Sequence, residues 1–376
     1  MYRRPPAGPG RRAPDGQGRD LYSGPLTAIP FLVDWQDELA PLVLLPAVII
    51  ANLGARERWA RYTTVAIAAG AVALVGFSGL NALVVAALAG SGASKAPELI
   101  LLLAAALAGS MLARPARALL ARRLPFDPES PVAMLALVGV ILVVGEQASY
   151  QAGHDALAAV GKAPQLQPLD VVLQEIPLLL LAVFSVGLFT RRSPSAALER
   201  LGVVRPALWQ LLVAAVVAGA FFAISQGGQH LQEQLDPALA RRLEESTSHY
   251  YAAISGIVGI AAIALAPGIA EESLFRGALQ PRLGILLAAI AFTAVHTQYA
   301  LTIDTLLVFT LGCGLGVVRR FLNTTTAITA HAAYNALAGV GIPTFLWPAG
   351  VGAELALVIL AALAWRRARV QNVSAA

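Results

Sequence analysis

The chain has 376 residues, 57% hydrophobic and 13% charged, with a mean hydropathy of +0.68 and a net charge of +5. Soluble domains carry about 25% charged residues, so an ordinary soluble fold is excluded and a polytopic membrane protein is expected. The single cysteine, Cys313, leaves no intramolecular disulfide and no cysteine-based metal site. The arginines gather at the ends of apolar blocks, which argues against nucleic acid as a partner.

Residues 1–37, opening "MYRRPPAGPGRRAPDGQGRD", are rich in Pro, Gly and Arg and predict a disordered basic tail. The first apolar stretch begins only near residue 39, too late for a signal peptide. Apolar blocks then predict spans at 38–54, 63–92, 97–113, 131–146, 171–190, 206–224, 251–277, 283–299, 303–318, 324–340 and 349–365. Crossing roughly 30 Å of hydrocarbon takes about 20 helical residues, and strand alternation is absent, so the spans are expected to be helices. The expected fold class is all-α: a polytopic integral membrane helical bundle of roughly 8 to 11 transmembrane helices in the cell membrane. Its parts are N-terminal helices over 38–224, a core over 250–342, and a last helix with a basic tail over 343–376.

Arginine-rich loops set the orientation. Arg56, Arg58 and Arg61, the stretch from Arg114 to Arg123, Arg191 and Arg192, Arg319 and Arg320, and Arg366, Arg367 and Arg369 all face the cytoplasm if eleven spans start outside. The tail's own arginines then lie outside, and one early span fewer reverses that. Two polar loops, 147–169 and 225–250, fall on the far side. His154, His230, Glu244, Glu245 and His249 lie in them and read as solvated residues.

The second half carries the chemistry. "AEESLFRGALQ", residues 270–280, sets Glu271, Glu272 and Arg276 after the uncharged run "AISGIVGIAAIALAPGIA". Each charge costs a few kcal/mol or more in a bilayer, so ionisable groups there are functional by default. Glu272 and Arg276, four apart, share a helix face and are expected to pair; Glu271 has no partner on its own helix and is a candidate general base. "AFTAVHTQ" places Phe292 one turn before His296, and "ITAHAAYNALAG" places His331 one turn before Asn335. A lone membrane histidine is more often a helix-to-helix hydrogen bond, but three polar sites on neighbouring spans within 271–335 argue for one shared site. At about 1.5 Å per residue, Glu271 lies about 15 Å from Pro281, His331 about 12 Å from Asn323 and His296 about 20 Å from Leu283. A turn at 281–284 that dips inward would bring the three level. Gly312, Gly314 and Gly316 read as close helix packing beside them.

With EExxxR as "EESLFR", FxxxH as "FTAVH" and HxxxN as "HAAYN", residues 250–342 resemble the CPBP or Abi family of intramembrane proteases, the type II CAAX prenyl endopeptidase group. The resemblance implies a peptidase in which Glu271, helped by His296, activates water, and His331 and Asn335 stabilise the oxyanion. Glu272, Arg276 and Phe292 would support the site. It implies a lipid bilayer and a peptide or protein substrate, lipidated ones among them, as partners. The favoured mechanism needs no cofactor. Its rival is a zinc ion on Glu271, His296 and His331, a His₂Glu set with an open position. No HExxH occurs; Ser273 is flanked by the motif but is expected to point off the Glu271 side, and Cys313 has no paired base in sequence. Two other functions use the same polar cluster: a transporter or binding scaffold, which predicts broken helices and inverted repeats, and a catalytically silent immunity or interaction protein.

Overall fold

The structure is a computed structural model that describes residues 40–90 and 94–374; the expected tail, 1–37, lies outside the described residues. The remainder, Glu38–Ala376, is one compact unit. Among the described residues regular structure is helical: α1 (Leu45–Leu53), α2 (Arg58–Leu88), α3 (Ala96–Ser110), α4 (Arg114–Leu120), α5 (Pro131–Gly153), α6 (Ala156–Val160), α7 (Pro168–Ser185), α8 (Pro194–Leu201), α9 (Leu208–Leu235), α10 (Pro237–Tyr250), α11 (Gly256–Glu271), α12 (Gln280–Ala294), α13 (Ile303–Phe321), α14 (Thr324–Val340) and α15 (Trp347–Ser374).

The starts of several helices follow from their sequence. Ser130, Ser193 and Asp236 accept an N-terminal backbone N–H while Pro131, Pro194 and Pro237 stand just inside the helix, where a missing N–H costs nothing. Asn323 caps α14 in the same way, accepting from the Thr326 N–H at 2.8 Å. The helices leave large apolar side chains on the outside, Phe77, Leu88, Ile257 and Leu286 among them. Water would penalise that surface and hydrocarbon would not. The protein is a multi-pass helical membrane bundle.

The expected eight to eleven spans are not reached. Among the described residues six helices are long and apolar enough to cross a membrane, or seven if the bent pair α3 and α4 counts as one. The reasons are local. The stretch Gly256–Ala294 counts once among the six, although its backbone leaves helical φ/ψ at Gly284, so the spans expected at 251–277 and 283–299 lie on either side of that break. The chain widens into π-helix over Glu272–Leu279, and Pro281 falls in the first turn of α12, where its missing N–H is harmless. The course breaks instead at Gly284, whose φ of 77° and ψ of 175° suit glycine. Helix α13 carries Asp304, Arg319 and Arg320, α14 has 17 residues, and α1 has nine. The 93° bend between α3 and α4 is held by the buried Arg117, whose guanidinium donates to Met111 O, Leu112 O and Pro128 O.

The two expected polar loops are largely helical as well: α5 continues to Gly153, α9 to Leu235, and Glu244, Glu245 and His249 stand on α10. Polar residues on a continuing helix are invisible to a hydropathy threshold, which ends a span where the apolar run ends.

Helices α7 and α14 pack against α11, and α13 packs against α12. Close approach of α13 depends on its glycines. A Cβ at Gly316 would lie 2.7 Å from Ile285 Cγ2, and one at Gly312 would lie 3.3 Å from both Ala289 Cβ and Phe292 Cδ1. Gly312 O accepts from Arg276 Nη2 at 3.2 Å and Gly316 O from Gln280 Nε2 at 2.8 Å, so donors four residues apart meet acceptors four residues apart. Side-chain donors that bridge helices in this way replace the water that lipid cannot supply.

Candidate active site

Glu271 and Glu272 occupy the junction where α11 passes into the π-helical stretch. Adjacent residues on a helix diverge, and here they have different partners. Glu272 is fully buried between two helices. Its Oε2 lies 3.2 Å from Arg276 Nε, and its Oε1 lies 3.0 Å from His331 Nδ1 on α14. Arg276, 1% exposed, stacks its guanidinium 4.3 Å above the Phe292 ring. Phe292 in turn contacts the rings of Phe275, His296 and His331, at centroid distances of 5.4, 4.5 and 6.0 Å. It is the apolar floor on which both imidazoles rest.

Glu271 faces the other way. Its Oε1 lies 3.8 Å from His296 Nε2 and its Oε2 lies 3.8 Å from His331 Nε2. Neither distance is a hydrogen bond, and Oε2 is buried without a hydrogen-bond partner among the described residues. The two imidazoles present the same edge to one carboxylate, at a separation that leaves room for a small bridging group.

The tautomers follow from the partners. His296 Nδ1 lies 2.7 Å from Phe292 O, and a carbonyl only accepts, so Nδ1 carries the proton. A neutral His296 then offers its Nε2 lone pair toward Glu271. His296 itself stands just beyond α12, which ends at Ala294, with φ −99° and ψ 56°; it was expected inside a span reaching 299. Asn335, one turn beyond His331, donates Nδ2 to Ile263 O at 3.0 Å. An amide NH₂ has two hydrogens, which leaves Asn335 a second N–H.

The structure therefore brings Glu271, His296 and His331 together, with Glu272, Arg276 and Phe292 behind them and Asn335 on the face of His331. Ser273 is spent on its own helix, donating to Ile269 O at 2.6 Å. His154, His230 and His249 lie elsewhere: His154 stacks on Tyr150, His230 faces Gln234 and Glu233, and His249 faces Ala163 O.

Residues 252–337 match the family model of the Rce1-like type II CAAX prenyl endopeptidases. The matched segment runs from just after α10 to within α14 and contains Glu271, Glu272, Arg276, Phe292, His296, His331 and Asn335. Curated proteins and solved structures give no match to the chain.

Four residues around the cluster were missed by the motifs. Glu175 on α7 has a buried carboxylate oxygen without a hydrogen-bond partner among the described residues and lies within electrostatic range of Glu271. Its signal was present as a lone carboxylate in "LQEIPLLLL", but no fixed spacing links it to the motifs. Tyr251, Gln298 and Tyr299 come from the segments flanking the helices, where no periodicity announces them. Gln298 Nε2 reaches Tyr251 Oη at 3.4 Å, and the two tyrosines hydrogen-bond each other. Burial, with Tyr250 next, pushes the Tyr251 hydroxyl up to about 12, and Tyr251 with burial pushes Tyr299 well up. Both remain neutral hydroxyls at physiological pH.

Glu271, His296 and His331 have the donor chemistry of a zinc site. As they stand, no group of three His, Cys, Asp or Glu side chains among the described residues has its donors placed to hold a metal ion. Glu272 occupies His331 Nδ1, as an outer partner of a metal ligand would, but it equally orients a metal-free imidazole.

Proposed function

We propose that the chain is an intramembrane endopeptidase of the cell membrane that hydrolyses a peptide bond in a membrane-associated or CAAX-like substrate, lipidated substrates included. The observation that carries the reading is the pair of 3.8 Å separations that flank Glu271.

A carboxylate and a neutral imidazole nitrogen are both acceptors, and two acceptors at 3.8 Å suit a water that donates one hydrogen to each. Glu271 removes a proton from that water while His296 holds it in line. The hydroxide attacks the carbonyl carbon, and negative charge develops on the carbonyl oxygen. His331 Nδ1 already donates to Glu272, so for Nε2 to donate as well the ring acts as imidazolium. The free N–H of Asn335 is the second oxyanion donor. Collapse of the tetrahedral intermediate breaks the C–N bond, and the proton held by Glu271 passes to the departing amine. Positioned acid–base groups contribute about 10²–10⁴-fold and an oxyanion donor about 10²–10³-fold, so both halves are needed.

The test is cleavage of a prenylated CAAX-type peptide, and of its unprenylated counterpart, by purified protein in lipid nanodiscs. Cleavage that survives Glu271→Gln, or that neither peptide supports, sinks the reading. Parallel reactions after chelation and dialysis separate the mechanisms: full turnover supports the metal-free route, and loss restored by zinc alone reassigns Glu271, His296 and His331 as ligands.

A further inference from the structure

The cytoplasmic-type arginines do more than mark orientation. The turn between α1 and α2 and the first turn of α2 shape an open cleft of about 350 Å³ lined by Arg56, Glu57, Arg58, Arg61 and Tyr62, all exposed. Burial first, and then repulsion from Arg192 and Arg56, holds the Arg191 guanidinium below the usual arginine range. Arg200 is affected in the same direction by burial first and then by Arg192, Arg319 and Arg191. The crowding is geometric as well. Asn52, just before the turn, donates to Phe184 O and Ser185 O, which joins the turn to the end of α7, and Arg192 donates to Val186 O at that same end.

Carboxylates do not balance this charge. Among the described residues no ion pair joins Arg56, Arg58, Arg61, Arg191 or Arg192 to an acid, and the nearby Glu129 is engaged by Arg114. Glu57 is the one acid lining the cleft.

From this we propose that the cleft, with Arg191 and Arg192 beside it, binds the phosphate headgroup of an anionic phospholipid. Level and flanks favour a lipid over a soluble anion. Arg58 is the first residue of α2, a candidate span, so the cleft sits where helix leaves hydrocarbon. Trp59 and Tyr62 in the same turn are 56% and 72% exposed, as aromatic side chains are at the headgroup level. Guanidinium groups bind phosphate oxygens in pairs, and 350 Å³ accommodates a headgroup phosphodiester. The turn keeps its shape because Gly54 packs against Arg61, with room for no side chain: a Cβ there would lie 3.1 Å from the Arg61 backbone.

The experiment uses the full chain in nanodiscs containing equal amounts of phosphatidylglycerol and phosphatidylcholine, released into native mass spectrometry. Wild-type protein retains phosphatidylglycerol over phosphatidylcholine by about fivefold or more, since each arginine near an anionic surface contributes appreciably. The combined Arg56→Gln, Arg58→Gln and Arg61→Gln variant binds the two equally, while Arg366→Gln with Arg367→Gln keeps the preference. Equal retention by the wild type, or an undiminished preference in the triple variant, overturns the proposal. Excess inorganic phosphate leaves the bound lipid in place; displacement by phosphate reassigns the cleft to a soluble anion and also overturns it. The wild-type and phosphate arms stand even if the triple variant does not fold.

Discussion

Two arginine–carboxylate pairs in this protein have similar lengths and opposite settings. Arg276 Nε and Glu272 Oε2 are 3.2 Å apart and buried between helices; Arg242 Nη2 and Asp155 Oδ2 are 2.6 Å apart, with both side chains about half exposed. The shorter pair is the weaker support. Water solvates Arg242 and Asp155 almost as well apart as together, so their contact adds little. Arg276 and Glu272 have no such alternative, and removing one strands the other. Distance alone does not rank interactions; what each partner would do without the other ranks them. By the same rule Glu271, flanked by histidines at 3.8 Å and bonded to neither, is held for a use other than stability.

The sharpest way to break this contrast is Glu271→Gln. Peptide hydrolysis is expected to fall by about 10²–10⁴-fold, while the melting temperature holds or rises, because the change removes a buried charge that no hydrogen bond satisfies. A comparable fall in melting temperature would make Glu271 a structural residue. Arg276→Ala should do the reverse damage. It leaves Glu272 buried with one cation fewer and takes the guanidinium off Phe292, for about 3–5 kcal/mol of lost stability. Thermal unfolding in detergent would show it, and an unchanged melt would mean that Glu272 is neutral and needs no partner.

Much of this contrast was legible in the sequence, for reasons that differ by residue. Intramembrane charge is costly enough that Glu271, Glu272 and Arg276 marked themselves, and i, i+4 spacing paired Glu272 with Arg276 and set Phe292 beside His296. What spacing could not show was the second hydrogen bond of Glu272, to His331 on another helix, 59 residues away. Nor could it find Glu175, which reaches the site only because α7 packs on α11. Span counting failed for a different reason. Hydropathy measures how apolar a stretch is, not where the helix axis changes, and here helical structure runs through Pro281, kinks at Gly284 and resumes to Ala294.

Between the two extremes lies packing. Gly316→Ala places a methyl 2.7 Å from Ile285 Cγ2 and 3.1 Å from Gln280 Oε1. Overpacking of this kind costs about 1–3 kcal/mol, less than an orphaned buried charge. Because Gln280 also donates to Gly316 O, a shift of α13 should reach the cluster through Arg276 and Gly312 O. Turnover at saturating peptide should therefore fall with stability, and a loss of stability with full turnover would show that α13 is only a scaffold.

The smallest effect belongs to the exposed pair, and pH isolates it. The Ala158 backbone N–H, and then Arg242, hold the Asp155 carboxyl below the usual carboxylate range. A depressed folded value contributes stability that is complete above the unfolded value and is lost as pH falls through the folded one. Asp155→Asn keeps the cap on α6, since an amide oxygen still accepts from Ala158, but removes the charge. Wild type should therefore melt slightly above the variant at neutral pH, and the gap should close only in the acid range, once Asp155 takes up its proton. A gap that instead persists unchanged at low pH would come from hydrogen-bond geometry, and the exposed pair would then resemble the buried one more closely than its solvation allows.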